Sequence, residues 1–290
     1  MRTINIPGTS VTDTPGPAPA LVLPDRGTPG VLGLWRPGHP GSGKTLVPAT
    51  GENFNDIAAD WTKLTLGLAE APGWRVNNTI NNAQNQAFVE RSAKGGVFVA
   101  NAHSGATGSP YQNFSIAWGA DRQANIGARA AAGDVFYTSG WIRLTRPPRT
   151  GTTGFVTGGF RKGTNLADFL AVFGWSGSMP WHWPQAGSAD FVAARVEVHG
   201  NLAFVAVAAK KSGAFATNSN AVLMGAGNVN TLNILQSEGI YSFFGENITL
   251  SKRTFEQIAN ADYLEFRDEL LTPSGMHYGD AWTEPTTKVP

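Results

Sequence analysis

Residues 191–208, FVAARVEVHGNLAFVAVA, decide the fold class of this chain. They form two runs rich in Val, Phe and Ala, 191–198 and 202–208, and Gly200 and Asn201 stand between them. Apolar runs of this length that are bounded by turn-forming residues are typical of β-strands. We therefore predict two consecutive strands here.

The first of these runs alternates between apolar and more polar positions, which predicts a strand with one buried face and one solvated face. The expected buried residues are Val192, Ala194, Val196 and Val198, and the expected solvated residues are Ala193, Arg195 and Glu197.

Comparable runs recur at intervals of about ten residues, a spacing that favours a β-sandwich or barrel over alternating strands and helices. Charged residues make up only 15% of the chain, and its 35 Gly and 18 Pro suit many short strands joined by tight turns. We therefore predict an all-β fold. The other predicted strands are 97–100, 114–118, 135–144, 155–160, 169–175, 221–224, 231–235 and 240–250.

One helix is predicted near the end of the chain. Thr254 and Gln257 have the spacing of a capping box, in which each side chain satisfies a backbone N–H of the first turn. Pro273 and Gly275 are expected to end this helix. Five apolar residues fall on one helical stripe, which we expect to cover one end of the sandwich. They are Phe255, Ala259, Tyr263, Phe266 and Leu270.

The stretch from about Val135 to Trp282 resembles the laminin-G-like, or concanavalin-like, jelly-roll domains of bacteriophage structural proteins. The resemblance rests on residues 239–255, GIYSFFGENITLSKRTF, which match the last strand, short turn and covering helix of these domains, and on the tail at 271–282. The Asp-Gly hairpin common in this family is missing after 202–208. The predicted organisation is an extended arm at 1–30, a jelly-roll sandwich at 31–282 and a C-terminal tail at 283–290.

The N-terminal arm holds six prolines and shows little apolar periodicity, which predicts an extended segment. We expect the arm to lie on a neighbouring subunit, although such a segment can also fold back on its own domain. The residues expected to contact a partner are Ile4, Ile6, Pro7, Pro15, Pro17, Pro19, Leu21 and Leu23.

A loop-like segment at 179–184, MPWHWP, holds two indoles two residues apart. If this segment is extended, both rings point to the same side. Exposed indoles can stack on a sugar or anchor a protein interface, whereas buried ones would plug the end of the sandwich. Trp181, His182 and Trp183 are therefore candidate ligand-binding residues.

Residues 38–45, GHPGSGKT, match the phosphate-binding loop pattern G-x4-G-K-[ST]. Such a loop needs a strand before it and a helix directly after it, so that backbone N–H groups can hold phosphate. Residues 31–35 suit the strand, but Pro48 and Gly51 follow too closely for the helix. We predict a surface loop and no nucleotide cofactor.

The sequence shows no pattern typical of a catalytic or metal site. The five histidines are scattered and there are no cysteines, so zinc-binding spacings are missing. Relatives of the concanavalin fold that hydrolyse glycans need paired carboxylates on one strand face, and neither Glu197 nor Glu246 has a second carboxylate two residues away. Calcium-binding members of the resembled family use acidic loops, which are missing here. We expect no enzymatic activity, no metal and no cofactor.

Charge and hydropathy bear on the possible partners. The net charge of +1 comes without a basic stripe, which argues against nucleic acid, and no apolar run approaches the 18 residues of a membrane span. The resemblance implies a virion protein of a tail fibre, tail tip or capsid decoration, made in the host cytoplasm. Its partners would be other phage structural proteins and copies of itself in a homo-oligomer. The alternative function is a carbohydrate-binding module that recognises host-surface glycans.

Overall fold

The computed structural model describes residues 29–44, 46–68, 73–81, 86–103, 114–149, 155–161, 169–211, 222–226 and 235–289. Its strands are β1 (Val31–Trp35), β2 (Asn53–Asn55), β3 (Gly73–Asn78), β4 (Ala87–Arg91), β5 (Val97–Asn101), β6 (Phe114–Ala117), β7 (Val135–Arg146), β8 (Phe155–Arg161), β9 (Phe169–Ser176), β10 (Met179–Trp183), β11 (Phe191–His199), β12 (Leu202–Lys210), β13 (Val222–Ala226) and β14 (Ser237–Asn247). Its helices are α1 (Ala59–Leu66), α2 (Ala120–Ala131), α3 (Ile248–Ser251), α4 (Phe255–Phe266) and α5 (Pro285–Lys288), with a 3₁₀ turn at Pro40–Ser42 and a π-helical turn at Arg267–Leu271.

Antiparallel pairing arranges these strands in two layers. The first layer is a seven-stranded sheet in the order β11-β12-β7-β14-β5-β4, in which β1 also pairs with β14 next to β5. The second layer contains the sheet β10-β9-β8 and the sheet β13-β6-β3-β2, with β13 alongside β8. The prediction of a mostly β, sandwich-like fold is therefore confirmed.

Strand β12 shows why the seven-stranded sheet is covered on both faces. Successive side chains of a strand point to opposite faces. Val205 and Val207 pack in the core between the two layers, whereas Phe204 and Ala206 belong to a second core on the outer face of the sheet. A strand that is apolar at nearly every position can be buried on both sides.

Helix α4 covers this outer face. Thr254 Oγ1 accepts from Gln257 N at 3.2 Å, and Gln257 Oε1 accepts from Thr254 N at 2.9 Å, so the predicted capping box is formed. All five residues of the predicted stripe pack in the outer core, Phe255 and Tyr263 only in part. The prediction that the helix covers one end of the sandwich is wrong, because α4 lies over β12 and β7.

A buried carboxylate also holds α4 to the sheet. Asp262 accepts hydrogen bonds from Tyr137 Oη at 3.2 Å, from Trp141 Nε1 at 3.1 Å and from Ser139 Oγ. All three donors lie on β7. Burying a carboxyl group without hydrogen bonds is costly, and these three donors supply the bonds that its oxygens need.

The predicted burial pattern of β11 is wrong. Val192, Val196 and Val198 are 45%, 38% and 46% exposed. Val196 and Val198 are opposite Val205 and Ala203 of β12 and so face the second layer, but that layer ends before it covers them. On the other face Arg195 donates to Asn260 Oδ1 of α4 at 2.6 Å. Alternation separated the two faces correctly, but it carried no information about which face would be covered.

Other predicted segments also differ in the structure. Residues 179–183 form the strand β10 rather than a loop, since they pair with β9 in a hairpin. The strand predicted at 240–250 ends at Asn247, whose side chain caps α3 by accepting from Leu250 N at 3.1 Å. Of the strand predicted at 231–235, only Leu235 lies within the described residues.

Helices α1 and α2, which the sequence analysis did not predict, are joined to the sheets by a buried ion pair. Arg122 Nη1 of α2 lies 3.2 Å from Asp56 Oδ2, and both side chains are almost fully buried. The Arg122 guanidinium lies 4.9 Å and 5.1 Å from the ring centroids of Trp74 and Trp118. Burial raises the pKa of Asp56, and the positive charge of Arg122 opposes that rise.

The segment 283–289 packs on the domain. Helix α5 lies against β4 and β5, and Val289 is buried with Ala100 and Ala102. Lys288 Nζ lies 5.2 Å from the ring centroid of Phe88.

Candidate functional site

The three candidate ligand-binding residues lie on β10. In the described part of the chain, β10 is the edge strand of the sheet β10-β9-β8. Trp181 is opposite Gly174 and Trp183 is opposite Val172, while His182 is opposite Phe173. Directly opposite residues of an antiparallel pair share a face of the sheet. Because Phe173 belongs to the core between the layers, His182 faces that core and the two indoles face outward.

Met179, Trp181 and Trp183 therefore form one outward-facing row, which we call the β10 stripe. Met179 is 65% exposed, and both indoles are half-buried. Residues two apart on a strand are separated by about 6.6 Å. The stripe can thus offer two neighbouring rings to one ligand or one partner side chain.

The side chain of His182 points to the opposite face of β10 from the two indoles. Its Nδ1 lies 3.0 Å from the carbonyl oxygen of Pro184, and its ring stacks on Phe191 of β11 with centroids 6.2 Å apart. Burial lowers the pKa of His182, although the Pro184 carbonyl favours the protonated ring. His182 thus packs β10 against β11, while Trp181 and Trp183 carry the outward contact.

Residues 38–44, the described part of the loop that matches the phosphate-binding pattern, line a cleft of about 690 Å³. The opposite wall is the turn at 91–95, and Met276 closes one side. The loop follows β1 as expected, but residues 46–52 contain no helix and lead into β2. The prediction of a surface loop is confirmed for residues 38–44, whereas Thr45 lies outside the described residues.

Several polar groups of this cleft have partners inside the protein, whereas Nε and Nη1 of Arg91, which also lines the cleft, have no hydrogen-bond partner among the described residues. Gly41 N donates to His39 Nδ1 at 3.0 Å and Ser42 N donates to the His39 carbonyl at 2.9 Å, so the loop does not present a row of free N–H groups. Lys44 Nζ lies 3.1 Å from Glu52 Oε1, and Lys94 Nζ donates to the Tyr278 carbonyl. Because these loop N–H groups and both lysines are engaged, residues 38–44 lack the arrangement of a phosphate-binding loop.

The wall of the cleft is fixed by the C-terminal segment. Asp280 accepts from Lys94 N at 2.9 Å and from Ser92 Oγ, and His277 Nδ1 donates to the Lys94 carbonyl at 2.8 Å. Burial lowers the pKa of His277 to about 4. These side chains fasten residues 277–280 to the turn at 92–95, so we assign them a structural role.

The buried carboxylates that the structure describes also make structural contacts. Burial raises the pKa of Glu238 to about 7, and its Oε2 accepts from Thr157 Oγ1 at 2.7 Å, which links β14 to β8. Glu246 accepts from Arg253 Nε at 3.0 Å. Across the described residues no group of three or more His, Asp or Glu is placed to hold a metal ion.

The exposed edge of β11 is the surface feature that the sequence analysis missed. Val196 and Val198 were expected in the core because they alternate with polar residues. The informative signal was the pair Arg195 and Glu197 within the same strand, because charged side chains are typical of strands at the edge of a sheet.

The predicted partner-binding residues of the arm, from Ile4 to Leu23, lie outside the described residues. Among the residues that the structure does describe, no helix has both the length and the hydropathy needed to cross a membrane. When the chain is compared with known proteins, no protein-family model, no curated protein and no solved structure matches it.

Proposed function

We propose that this chain is a non-enzymatic structural protein of a bacteriophage particle, in a tail fibre, tail tip or capsid decoration. Its fold is then a jelly-roll sandwich, as the resemblance of residues 135–282 implies, and the two antiparallel layers with a covering helix support that fold. The protein works by binding other phage structural proteins and copies of itself, and it is located in the virion.

One observation carries this proposal. Strand β11 is a nine-residue edge strand in the described chain, and three of its valines are well exposed. Long apolar edge strands invite pairing with another chain, so proteins usually cover or shorten them. Exposed apolar surface of this kind marks interaction sites. A protein whose role is assembly has a use for such an edge.

The first test removes the N-terminal arm. We expect a variant lacking residues 1–28 to keep the thermal midpoint of the full chain but to be missing from particles, because the sandwich starts at β1 and the arm is proposed to bind the neighbour. Incorporation is measured by mass spectrometry of particles purified from a host in which the variant replaces the original gene.

A matched control keeps the arm at full length and with all its prolines, but replaces Ile4, Ile6, Leu21 and Leu23 by Ser. If apolar arm contacts drive incorporation, this variant is also missing from particles. Normal incorporation of the truncated chain would show that the arm has no part in assembly.

A second candidate function, a carbohydrate-binding module for host-surface glycans, is favoured by the outward direction of the β10 stripe. Aromatic rings that are partly accessible are suited to stacking on sugar rings. On this function Trp181→Ala and Trp183→Ala should each weaken glycan binding by roughly 30-fold, the effect of losing a contact worth about 2 kcal/mol.

Binding is measured on a glycan array and then by calorimetry on the best ligand. Trp61→Ala is the matched control, because Trp61 is also partly exposed, at 37%, but belongs to α1 and not to the stripe. No binding by the unmodified chain, or equal losses in all three variants, would eliminate the glycan function and leave the assembly proposal standing.

A further inference from the structure

The edge of β11 is complementary to a second copy of itself. When two identical strands pair antiparallel about Val196, residue 195 of one copy is opposite residue 197 of the other. Arg195 then meets Glu197 of the second copy, Val196 meets Val196, and Ala194 meets Val198. Opposite charges and apolar pairs placed directly across two strands stabilise their pairing, and like charges destabilise it.

Other registers of the same pairing are less favourable. A pairing about Arg195 places two arginines opposite each other, and a pairing about Glu197 places two glutamates opposite each other. A pairing about Ala194 sets Val198 against Asp190, and neither Arg195 nor Glu197 then meets an opposite charge across the interface. Of these four registers, only the one about Val196 places opposite charges directly across the interface.

The two faces of β11 also suit this register. Val196 and Val198 lie on the face toward the second layer, and Arg195 and Glu197 lie on the face toward α4. A twofold axis perpendicular to the sheet keeps each face on its own side. The exposed valines would then meet valine and alanine, while the four charged side chains would alternate in sign on the opposite face.

The position of Arg195 prepares it for this contact. Its guanidinium lies 4.2 Å from the ring centroid of Tyr263, and its Nε donates to Glu197 Oε1 of the same strand at 2.9 Å. Helix α4 lies over β12 and β7, further into the sheet, so it does not block the edge. The charged pair is therefore already ordered before a second copy binds.

We propose that β11 pairs antiparallel with β11 of a second copy about a twofold axis at Val196, joining two seven-stranded sheets into one continuous sheet. This inference rests on the proposed assembly function for its biological role, and it names the partner of the edge as the chain itself. The dimer can be tested on the purified full chain, separately from incorporation into particles.

The first measurement follows the dimer by sedimentation velocity over a range of concentrations. We expect Arg195→Glu to weaken dimerisation by at least about tenfold, since two facing glutamates replace each opposite-charge pair. The exchanged variant Arg195→Glu/Glu197→Arg should recover the dimer, because the opposite charges face each other again. Arg267→Glu, at an exposed arginine paired with Asp268 elsewhere on the surface, is the matched control and should leave the dimer unchanged.

The second measurement uses the lack of cysteine in the chain. Opposite Cα atoms in an antiparallel pair are about 4.5–5.5 Å apart, which a disulfide can span. Val196→Cys should therefore form a disulfide-linked dimer on mild oxidation. Val198→Cys should not, because its two copies would be about 13 Å apart. A mixture of Ala194→Cys and Val198→Cys chains should form only the mixed dimer.

A monomeric full chain at all concentrations would overturn the inference, and so would a dimer that is insensitive to Arg195→Glu. Linkage of Val198→Cys without linkage of Val196→Cys would overturn the register. Any of these results together with normal incorporation into particles would leave the proposed function in place. Dimerisation as expected, with the protein missing from every particle, would instead refute the proposed function alone.

Discussion

Phe266→Ala is expected to lower the free energy of unfolding by about 3–5 kcal/mol, because the ring is fully buried and its removal leaves a cavity. The ring packs edge-on against Trp141 with centroids 6.1 Å apart and also contacts Phe204 at 5.9 Å. This loss is a large part of the roughly 5–15 kcal/mol that stabilises a typical domain.

Two variants on the same helix calibrate this result. Thr254→Ala removes only the cap and should cost about 1 kcal/mol. Leu264→Ala removes a side chain that is 46% exposed and should cost less than Phe266→Ala. The free energies of unfolding are measured by urea denaturation. They are comparable if the slope of free energy against urea concentration is the same for all variants. A loss for Phe266→Ala as small as that for Thr254→Ala would mean that α4 is not packed on the sheet.

Asp56→Asn is expected to lower the free energy of unfolding by about 3–5 kcal/mol, because it leaves the buried Arg122 charge without its counterion. Asp56 also accepts from Leu34 N at 2.9 Å, from Ala58 N at 3.0 Å and from Thr62 Oγ1 at 3.2 Å. Its carboxylate therefore links β1, the start of α1 and α2. Asparagine keeps the shape and the Oδ1 acceptor, but it removes the charge and replaces Oδ2, which contacts Thr62 and Arg122, by an amide donor.

The double variant Asp56→Asn/Arg122→Met separates charge from packing. Methionine fills part of the space between Trp74 and Trp118 without a charge, so the double variant should be more stable than Asp56→Asn alone. Chemical denaturation of both variants measures the difference. Arg267→Ala, which removes an exposed ion pair, should change stability by no more than about 1 kcal/mol. Equal stability of the single and double variants would show that Arg122 does not need Asp56.

Local sequence patterns predicted the elements whose signals are short-range. Runs of β-branched and aromatic residues indicated most of the strands, and the Thr254–Gln257 spacing indicated the start of α4. Helix α2 escaped prediction because its N-cap residue, Gly119, makes no side-chain cap. Strand β10 escaped because its prolines suggested a loop, whereas pairing with β9 holds it extended.

The geometry of the candidate sites depended on contacts between residues that are further apart in the sequence. Two-residue spacing correctly predicted that Trp181 and Trp183 share a side, but only their opposite partners on β9 showed that this side faces outward. The match of residues 38–45 to a phosphate loop could be dismissed from Pro48 and Gly51. The partner of Lys44, Glu52, is only eight residues away, but the partner of Lys94 is the carbonyl of Tyr278, which is 184 residues away in the chain and could not be read from local spacing.

The sequence by itself determined most of the strands, the capped helix and the two faces of β11, because backbone geometry repeats every two residues in a strand and every 3.6 residues in a helix. Only the tertiary structure decided which faces are covered. Val205 and Val196 have the same side chain and are directly opposite each other on neighbouring strands, yet one is fully buried and the other is 38% exposed. The difference arises because burial depends on where the opposing layer ends, and the alternation of apolar and polar residues around Val196 does not record that position.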